Sequence, residues 1–157
     1  MFRFLNSFIL ALALTAVSVG CGSAGKPAPS GLVAASGVVT LDDKPLVGAQ
    51  VMLIPVKATD GNTGAGGVTD STGKFTLTSN EGGAAGAVPG TYRVVVSCLT
   101  KSDGTPVIPG PDESPMQLMI AGAKEQVPAK YSDAVASKLM ATVDSTGAPI
   151  ELKLTSK

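Results

Sequence analysis

Residues 36–55, SGVVTLDDKPLVGAQVMLIP, hold two runs of β-branched and aliphatic residues separated by a turn sequence. Such runs favour the pleated, half-buried surface of a β-strand. Between them, Asp42 and Asp43 tolerate left-handed backbone, and the nearby proline fixes φ and donates no ladder hydrogen bond. The stretch is therefore predicted to form one β-hairpin, with strands at residues 37–41 and 50–54.

Apolar and polar residues alternate along both predicted strands, which indicates that one face of the hairpin belongs to a core. Thr40 and Gln50 are predicted to face water. The positions predicted to face inward are Val39, Leu41, Leu46, Ala49, Val51 and Leu53.

The composition limits both the fold class and the chemistry. The chain has 157 residues with 19 Gly, 11 Pro and 4% aromatic residues, which is typical of short strands joined by many turns. Twelve acidic and twelve basic residues cancel, so no nucleic-acid partner is expected. The sequence has no His, which excludes Ser-His-Asp and Cys-His catalytic arrangements and removes the commonest neutral metal ligand.

The N-terminus has the pattern of an export signal. Arg3 precedes an apolar run, FILALALTAVSV at residues 8–19, which has signal-peptide length and is too short to span a bilayer comfortably. We therefore expect a signal peptide at residues 1–20 and an exported protein. Small residues then lead into Cys21, an arrangement that resembles a bacterial lipobox. The resemblance implies that Cys21 is lipidated and anchors the protein in the cell membrane or outer membrane, with plain cleavage or a retained helix as alternatives.

Residues 21–35 are predicted to be the lipidated cysteine and a flexible tether. After the cysteine, GSAGKPAPSGLVAA is small, polar and proline-containing, so it buries too little apolar area to fold. The remaining residues, 36–157, are enough for one domain with a single core.

A second hairpin pattern occurs at residues 68–78. The sequence DSTG at residues 70–73 supplies the turn, and apolar residues alternate with polar ones after it. Phe75 and Leu77 are predicted to face inward, with Phe75 as a core anchor.

A longer strand is predicted at residues 92–99, where apolar residues occupy nearly every position. This pattern is typical of a central strand, buried on one face and partly covered on the other. The residues that share its inward face are Tyr92, Val94, Val96 and Cys98. Once Cys21 is lipidated, Cys98 has no partner, so we favour an inert buried thiol over a reactive or bridging one.

The last hairpin pattern joins residues 139–143 to residues 150–154 around a second DSTG turn. Ile150, Leu152 and Leu154 are predicted to face inward. About seven strands at this spacing, with turn residues between them, indicate an all-β fold, an antiparallel β-sandwich.

Two segments are predicted to be long loops, residues 59–67 and 100–127. Within the second, MQLMI at residues 116–120 is predicted to be a short strand or a helical turn covering one end of the core. Loops this long inside compact domains are usually functional or disordered. We expect any partner to contact these loops, with strand addition at the sheet edges as the alternative.

The order SGVVTLDDKPLVGAQVMLIP, VTDSTGKFTL and PGTYRVVV resembles the carboxypeptidase regulatory-like, or transthyretin-like, domain. The tail VPAKYSDAVASKLMATV, with Pro128, Lys130 and Tyr131, is similar to small bacterial lipoproteins that carry this domain. The resemblance implies a prealbumin-like sandwich of Ig-like architecture that serves as a non-catalytic accessory module.

The candidate chemical sites are sparse. Ser-Lys catalysis would have to use Ser132 with Lys130 or Ser137 with Lys138, and both pairs are better interpreted as solvated turn residues. Oxygen ligands for Ca²⁺ could come from Asp60 with Asn62 or from Asp112 with Glu113, but neither pair has EF-hand spacing. The remaining acidic candidates, which we interpret as turn formers, are Asp42, Asp43 and Asp70.

The sequence therefore predicts a binding or structural module of the cell envelope, without a cofactor, a metal or enzymatic activity. Its partner would be another protein, a polysaccharide or a small hydrophobic ligand. A minor enzyme with a carboxylate or Ser-Lys site is the alternative.

Overall fold

The computed structural model describes residues 27–57, 62–110 and 113–157. The signal peptide, Cys21, Asp60 and Asp112 lie outside the described residues, so the predictions for them stay predictions. Within those ranges the chain is all-β and mostly antiparallel, with two short helices. No helix in the described residues is long and apolar enough to cross a membrane.

Seven of the strands have three or more residues: β1 (Ser36–Leu41), β3 (Gln50–Pro55), β4 (Ala65–Val68), β5 (Lys74–Thr76), β7 (Gly90–Ser97), β11 (Met140–Val143) and β12 (Ile150–Leu154). Five have two residues: β2 (Lys44–Pro45), β6 (Thr78–Ser79), β8 (Leu99–Thr100), β9 (Pro106–Val107) and β10 (Lys124–Glu125). The helices are α1 (Pro115–Ile120) and α2 (Ala129–Ser132).

The larger sheet is antiparallel and has the strand order β11-β7-β3-β4-β6. Its main pair joins β3 to β7, with Met52 opposite Val95 and Gln50 opposite Ser97. Strand β7 is flanked on both sides, as its continuous apolar sequence predicts for a central strand.

A four-stranded sheet is built around β1. Strand β12 lies parallel to β1 along one edge, from Gly37 opposite Ile150 to Leu41 opposite Leu154. Strands β2 and β5 pair with β1 antiparallel. The parallel pair departs from the predicted all-antiparallel arrangement.

Inward-facing side chains of these two sheets form one hydrophobic core. The predicted anchors that are fully or nearly fully buried are Val39, Val51, Leu53, Phe75, Leu77, Tyr92, Val94, Val96 and Leu152. Leu46, Ala49, Cys98, Ile150 and Leu154 are buried with them. Leu41 is only partly buried and packs against the edge of this core, because it ends β1 beside the exposed turn.

The predicted hairpin at residues 36–55 is wrong in its pairing. Asp42 and Asp43 both adopt left-handed backbone, with φ of 48° and 62°, and turn β1 back onto β2. The chain then crosses to the other sheet, so β3 pairs with β4 and β7 instead of β1.

The other two predicted hairpins are wrong in the same way. The turn at residues 70–73 joins β4 of the larger sheet to β5 of the four-stranded sheet. The turn at residues 144–147 likewise joins β11 to β12. Both connections are therefore arches between sheets.

The tether and the predicted loops also contain ordered structure. Val33 and Ala87 exchange two backbone hydrogen bonds of 3.0 Å, and Ala35 is buried, so the domain begins before residue 36. Residues 65–67, expected in a loop, belong to β4. The segment 100–127 forms most of a small sheet of order β10-β8-β9, together with α1.

Candidate functional site

A groove lies on the outer face of the larger sheet. Val51 and Leu53 of β3 face the core, so alternation turns Gln50 and Met52 outward. On β7 the same alternation turns Val95 and Ser97 outward, opposite Met52 and Gln50. These two cross-strand pairs form the floor of the groove.

The walls come from the segment that follows β7 in the sequence. Helix α1, strand β10 and helix α2 contribute side chains to a cavity of about 810 Å³. Nine of the fifteen lining residues are apolar. These nine are Met52, Val95, Leu99, Pro115, Met116, Met119, Val127, Ala129 and Ala134. Val95 is only 8% exposed although it faces outward, so this segment covers part of the sheet.

Helix α1 forms because its first turn is capped from both directions. The Ser114 side chain accepts a hydrogen bond from the Gln117 N–H at 3.2 Å, and the Gln117 side chain accepts one from the Ser114 N–H at 2.8 Å. Pro115 occupies the first turn, where its missing N–H is not needed. None of the helix residues is buried, so α1 does not cover the core as predicted. It presents Met116 and Met119 to the groove instead.

Glu125 fastens the groove wall to β7. Its carboxylate accepts hydrogen bonds from the Ser97 hydroxyl at 2.5 Å, the Cys98 N–H at 2.8 Å and the Val127 N–H at 2.9 Å. Hydrogen bonds to a carboxylate are roughly twice as strong as neutral ones. Together with the β8–β10 backbone pairs, this side chain holds residues 124–127 against the end of β7.

Cys98 lies directly beneath this wall, on the core side of the sheet. Burial, with a contribution from the Glu125 charge, raises the pKa of the Cys98 thiol to about 11. The thiol is free, and its sulfur lies 3.5 Å from the Val47 carbonyl oxygen. A thiol with this pKa holds little thiolate at neutral pH, in agreement with the inert cysteine that the sequence predicts.

In neither candidate Ser-Lys pair does the serine hydroxyl bond to the lysine. The Ser132 hydroxyl donates to the Val127 carbonyl at 3.3 Å, while the Lys130 ammonium donates to the Thr155 hydroxyl and to the Lys157 carbonyl. The Ser137 hydroxyl is buried and donates to the Val94 carbonyl at 2.6 Å. Ser132 thus bonds locally at the start of α2, and Ser137 ties the segment after α2 to β7. The interpretation of Ser137 as a solvated turn residue is wrong, because its side chain is buried.

Of the four candidate calcium ligands, the structure describes Asn62 and Glu113, and both make hydrogen bonds within the chain. The Asn62 amide donates to the Tyr92 hydroxyl at 3.0 Å, and its oxygen accepts from the Gly64 N–H. The Glu113 carboxylate accepts from the Gly110 N–H at 3.0 Å. Across the described residues, no group of three or more Cys, Asp or Glu side chains could hold a metal ion.

The turn aspartates have the roles that the sequence predicts. Hydrogen bonds from the Ser156 side chain and then from its backbone N–H, which lies 3.0 Å from the carboxylate, hold the pKa of Asp42 below the ordinary value. Asp70 accepts hydrogen bonds within its own turn, and Asp43 supplies left-handed backbone.

Sequence reasoning missed the groove, although two signals point to parts of it. Ser114, Pro115 and Gln117 form a helix start signature, which decides between the strand and the helical turn predicted there. Met52 lies between two inward residues of a strand, so the alternation predicts its outward position. The sequence does not predict that these two elements line one groove, because they are more than sixty residues apart in the chain.

No family model, curated protein or solved structure matches this chain. The interpretation of the groove therefore rests on its own geometry.

Proposed function

We propose that this chain is an exported, non-catalytic binding module, anchored in the cell membrane or outer membrane through lipidated Cys21. The groove on the outer face of the larger sheet is its recognition site. The observation that carries this proposal is the combination of nine apolar lining residues with a wall that is fixed by Glu125 and a capped helix. Such a mainly apolar surface suits an apolar partner.

The proposed framework is a β-sandwich of the transthyretin-like type. Two features support it: the two sheets share one core, and the Tyr92 hydroxyl donates to the Val88 carbonyl at 2.5 Å. A tyrosine that binds backbone a few residues upstream, at the start of a strand, is a known feature of Greek-key sandwiches. Desolvation by burial raises the pKa of Tyr92, so the hydroxyl stays protonated and can donate at neutral pH.

Among the predicted partners, the lining favours an apolar segment of another protein. Methionine side chains are flexible and polarizable, and are common on surfaces that accept several apolar partners. Among the described residues no aromatic ring lines the groove, which gives a sugar no ring to stack on there. A small hydrophobic ligand would use the same apolar residues. The Ser-Lys alternative gains no support, because the candidate serines donate to backbone carbonyls.

The test compares two equally exposed methionines of the larger sheet, one inside the groove and one outside it. Met52 and Met140 lie on strands of the larger sheet and are each 49% exposed, but only Met52 lines the groove. We expect Met52→Asp to abolish capture of partners from envelope extract, because a carboxylate in an apolar contact must be desolvated. Met140→Asp should capture as the parent does. Equal capture by both variants, with melting temperatures unchanged, would exclude the groove as the binding surface.

A further inference from the structure

The methionines of this chain are concentrated in the groove. Apart from Met1, the sequence contains four, and Met52, Met116 and Met119 all line the same cavity. Their exposed fractions are 49%, 65% and 45%, so none of the three serves to fill the core. Their sulfur atoms are therefore available to a ligand.

Two elements direct these side chains toward one space. Met116 and Met119 are three residues apart on α1, so they share a face of the helix. Met52 is on the floor of the groove, opposite Val95 in the β3–β7 pair. Methionine has three rotatable bonds beyond the backbone, which lets sulfurs from a wall and a floor converge without movement of the sheet.

From this arrangement we infer that Met52, Met116 and Met119 form a binding site for a soft monovalent metal ion, Cu(I). Thioether sulfur is a soft ligand that selects Cu(I) over hard cations such as Mg²⁺ and Ca²⁺. Two acidic residues, Glu125 and Asp133, also line the groove, but each carboxylate already accepts backbone hydrogen bonds, so neither is counted as a ligand.

The ligand chemistry also makes the site independent of pH. A thioether carries no proton, whereas thiolate and imidazole ligands must lose one before they bind a metal. The chain has no His, and the Cys98 thiol is buried on the other side of the sheet. Cu(I) binding should therefore persist in acid as long as the fold does.

The inference goes beyond the proposed function, although it uses the same groove. Docking of an apolar partner requires apolar surface, whereas metal binding requires sulfur. Replacement of Met by Leu keeps the apolar surface and removes the sulfur, so the two properties separate in one set of variants. Partner capture by Met52→Asp tests the docking of an apolar partner, and metal titration of the Leu variants tests metal binding.

The experiment uses Ag(I), a redox-stable substitute for Cu(I), and the full chain labelled with ¹³C in the methionine methyl groups. We expect one equivalent of Ag(I) to shift the methyl resonances of Met52, Met116 and Met119 and to leave that of Met140 unchanged. Calorimetric titration should show one site per chain, with similar affinity at neutral and mildly acidic pH. Absence of shifts, or equal shifts at Met140, overturns the inference.

The variants Met52→Leu, Met116→Leu and Met119→Leu should each weaken Ag(I) binding at least about tenfold, the lower end of the effect of losing even an outer-shell partner. The triple variant should not bind, and Met140→Leu should bind as the parent does. Because Leu and Met have similar volumes, folding should be preserved, which a melting curve checks. Unchanged binding by the triple variant overturns the inference.

Discussion

Thr69 is a buried residue in the connection from β4 to β5. It forms hydrogen bonds to the connection from β2 to β3, the other early crossing between the two sheets. Its hydroxyl donates to the Leu46 carbonyl at 2.6 Å and accepts from the Ala49 N–H at 2.8 Å. Its own N–H donates to the Ala49 carbonyl at 2.9 Å. One side chain therefore satisfies two backbone groups of the segment that carries the chain from β2 to β3.

Replacing this hydroxyl tests how much the crossing depends on it. Thr69→Val keeps the shape of the side chain but leaves a buried N–H and a buried carbonyl without the Thr69 hydroxyl, so we expect the free energy of unfolding to fall by about 1–3 kcal/mol. Thr76→Val on the exposed face of β5 is the matched control and should change little. Urea denaturation of both variants measures the difference. Equal stabilities would mean that water replaces the hydroxyl.

At the scale of elements, the sequence predicts where the chain reverses better than it predicts which strands pair. Turn residues at 42–45, 70–73 and 144–147 all lie in reversals of the chain. A hairpin and an arch between facing sheets have the same signature, because both put alternate residues into one core and both need a turn. The alternation therefore identified buried residues such as Val39 and Leu152 but could not identify their partners.

The two arches that end in β5 and β12 use the same turn. In each DSTG sequence the aspartate accepts from the N–H and the hydroxyl of the threonine, at 2.7 Å each at Asp70 and at 2.8 and 2.7 Å at Asp144. Each glycine adopts left-handed backbone, with φ of 76° at Gly73 and 71° at Gly147. Hydrogen bonds from Thr72 and Thr146 hold the pKa of Asp70 and Asp144 below the ordinary value.

These lowered pKa values predict a loss of stability in acid. A carboxylate whose folded-state pKa is depressed stabilises the fold above its unfolded pKa, here near 3.8, and that contribution disappears as pH falls through the folded-state pKa. We expect the melting temperature to fall as pH is lowered below about 4. The double variant Asp70→Asn with Asp144→Asn keeps an oxygen acceptor at each turn but cannot titrate there. Its melting temperature should therefore fall less than that of the parent over the same pH range. If the melting temperatures of the parent and the double variant fall equally with pH, Asp70 and Asp144 are not the source of the acid sensitivity.

At the scale of the whole molecule, the groove depends on contacts between distant parts of the chain. Alternation along the strand puts Met52 on an outward face, and the sequence predicts a long loop at residues 100–127 where a partner is expected to bind. It does not predict that Glu125 will accept bonds from Ser97 and Cys98 and so bring that segment over β7. A carboxylate on a two-residue strand carries no periodic signal, so this contact is visible only in the folded chain.

The start of the domain is a second whole-molecule feature that the structure changes. A chain beginning at residue 36 would lose the Val33–Ala87 bonds and the bond from the Leu77 N–H to the Ala35 carbonyl, 2.9 Å long. Ala87 and Leu77 are buried, so we expect the free energy of unfolding to fall by at least about 2 kcal/mol relative to a chain beginning at residue 28. Denaturant melts of the two chains measure this. Equal stability of the chains that begin at residues 28 and 36 would support the domain boundary at residue 36 that the sequence predicts.

The proposed anchor gives the last prediction. Eleven residues, 22–32, separate Cys21 from Val33, which pairs with Ala87, and a stretch of that length can span at most about 40 Å. Lipidation would thus keep the domain close to the membrane surface. We expect Cys21→Ala to move the protein from the membrane fraction to the soluble fraction of the envelope without changing its melting temperature, because Cys21 precedes the paired segment. Mass spectrometry of the parent should find a diacylated N-terminal Cys21, and an unmodified N-terminus at any other residue would contradict the anchor.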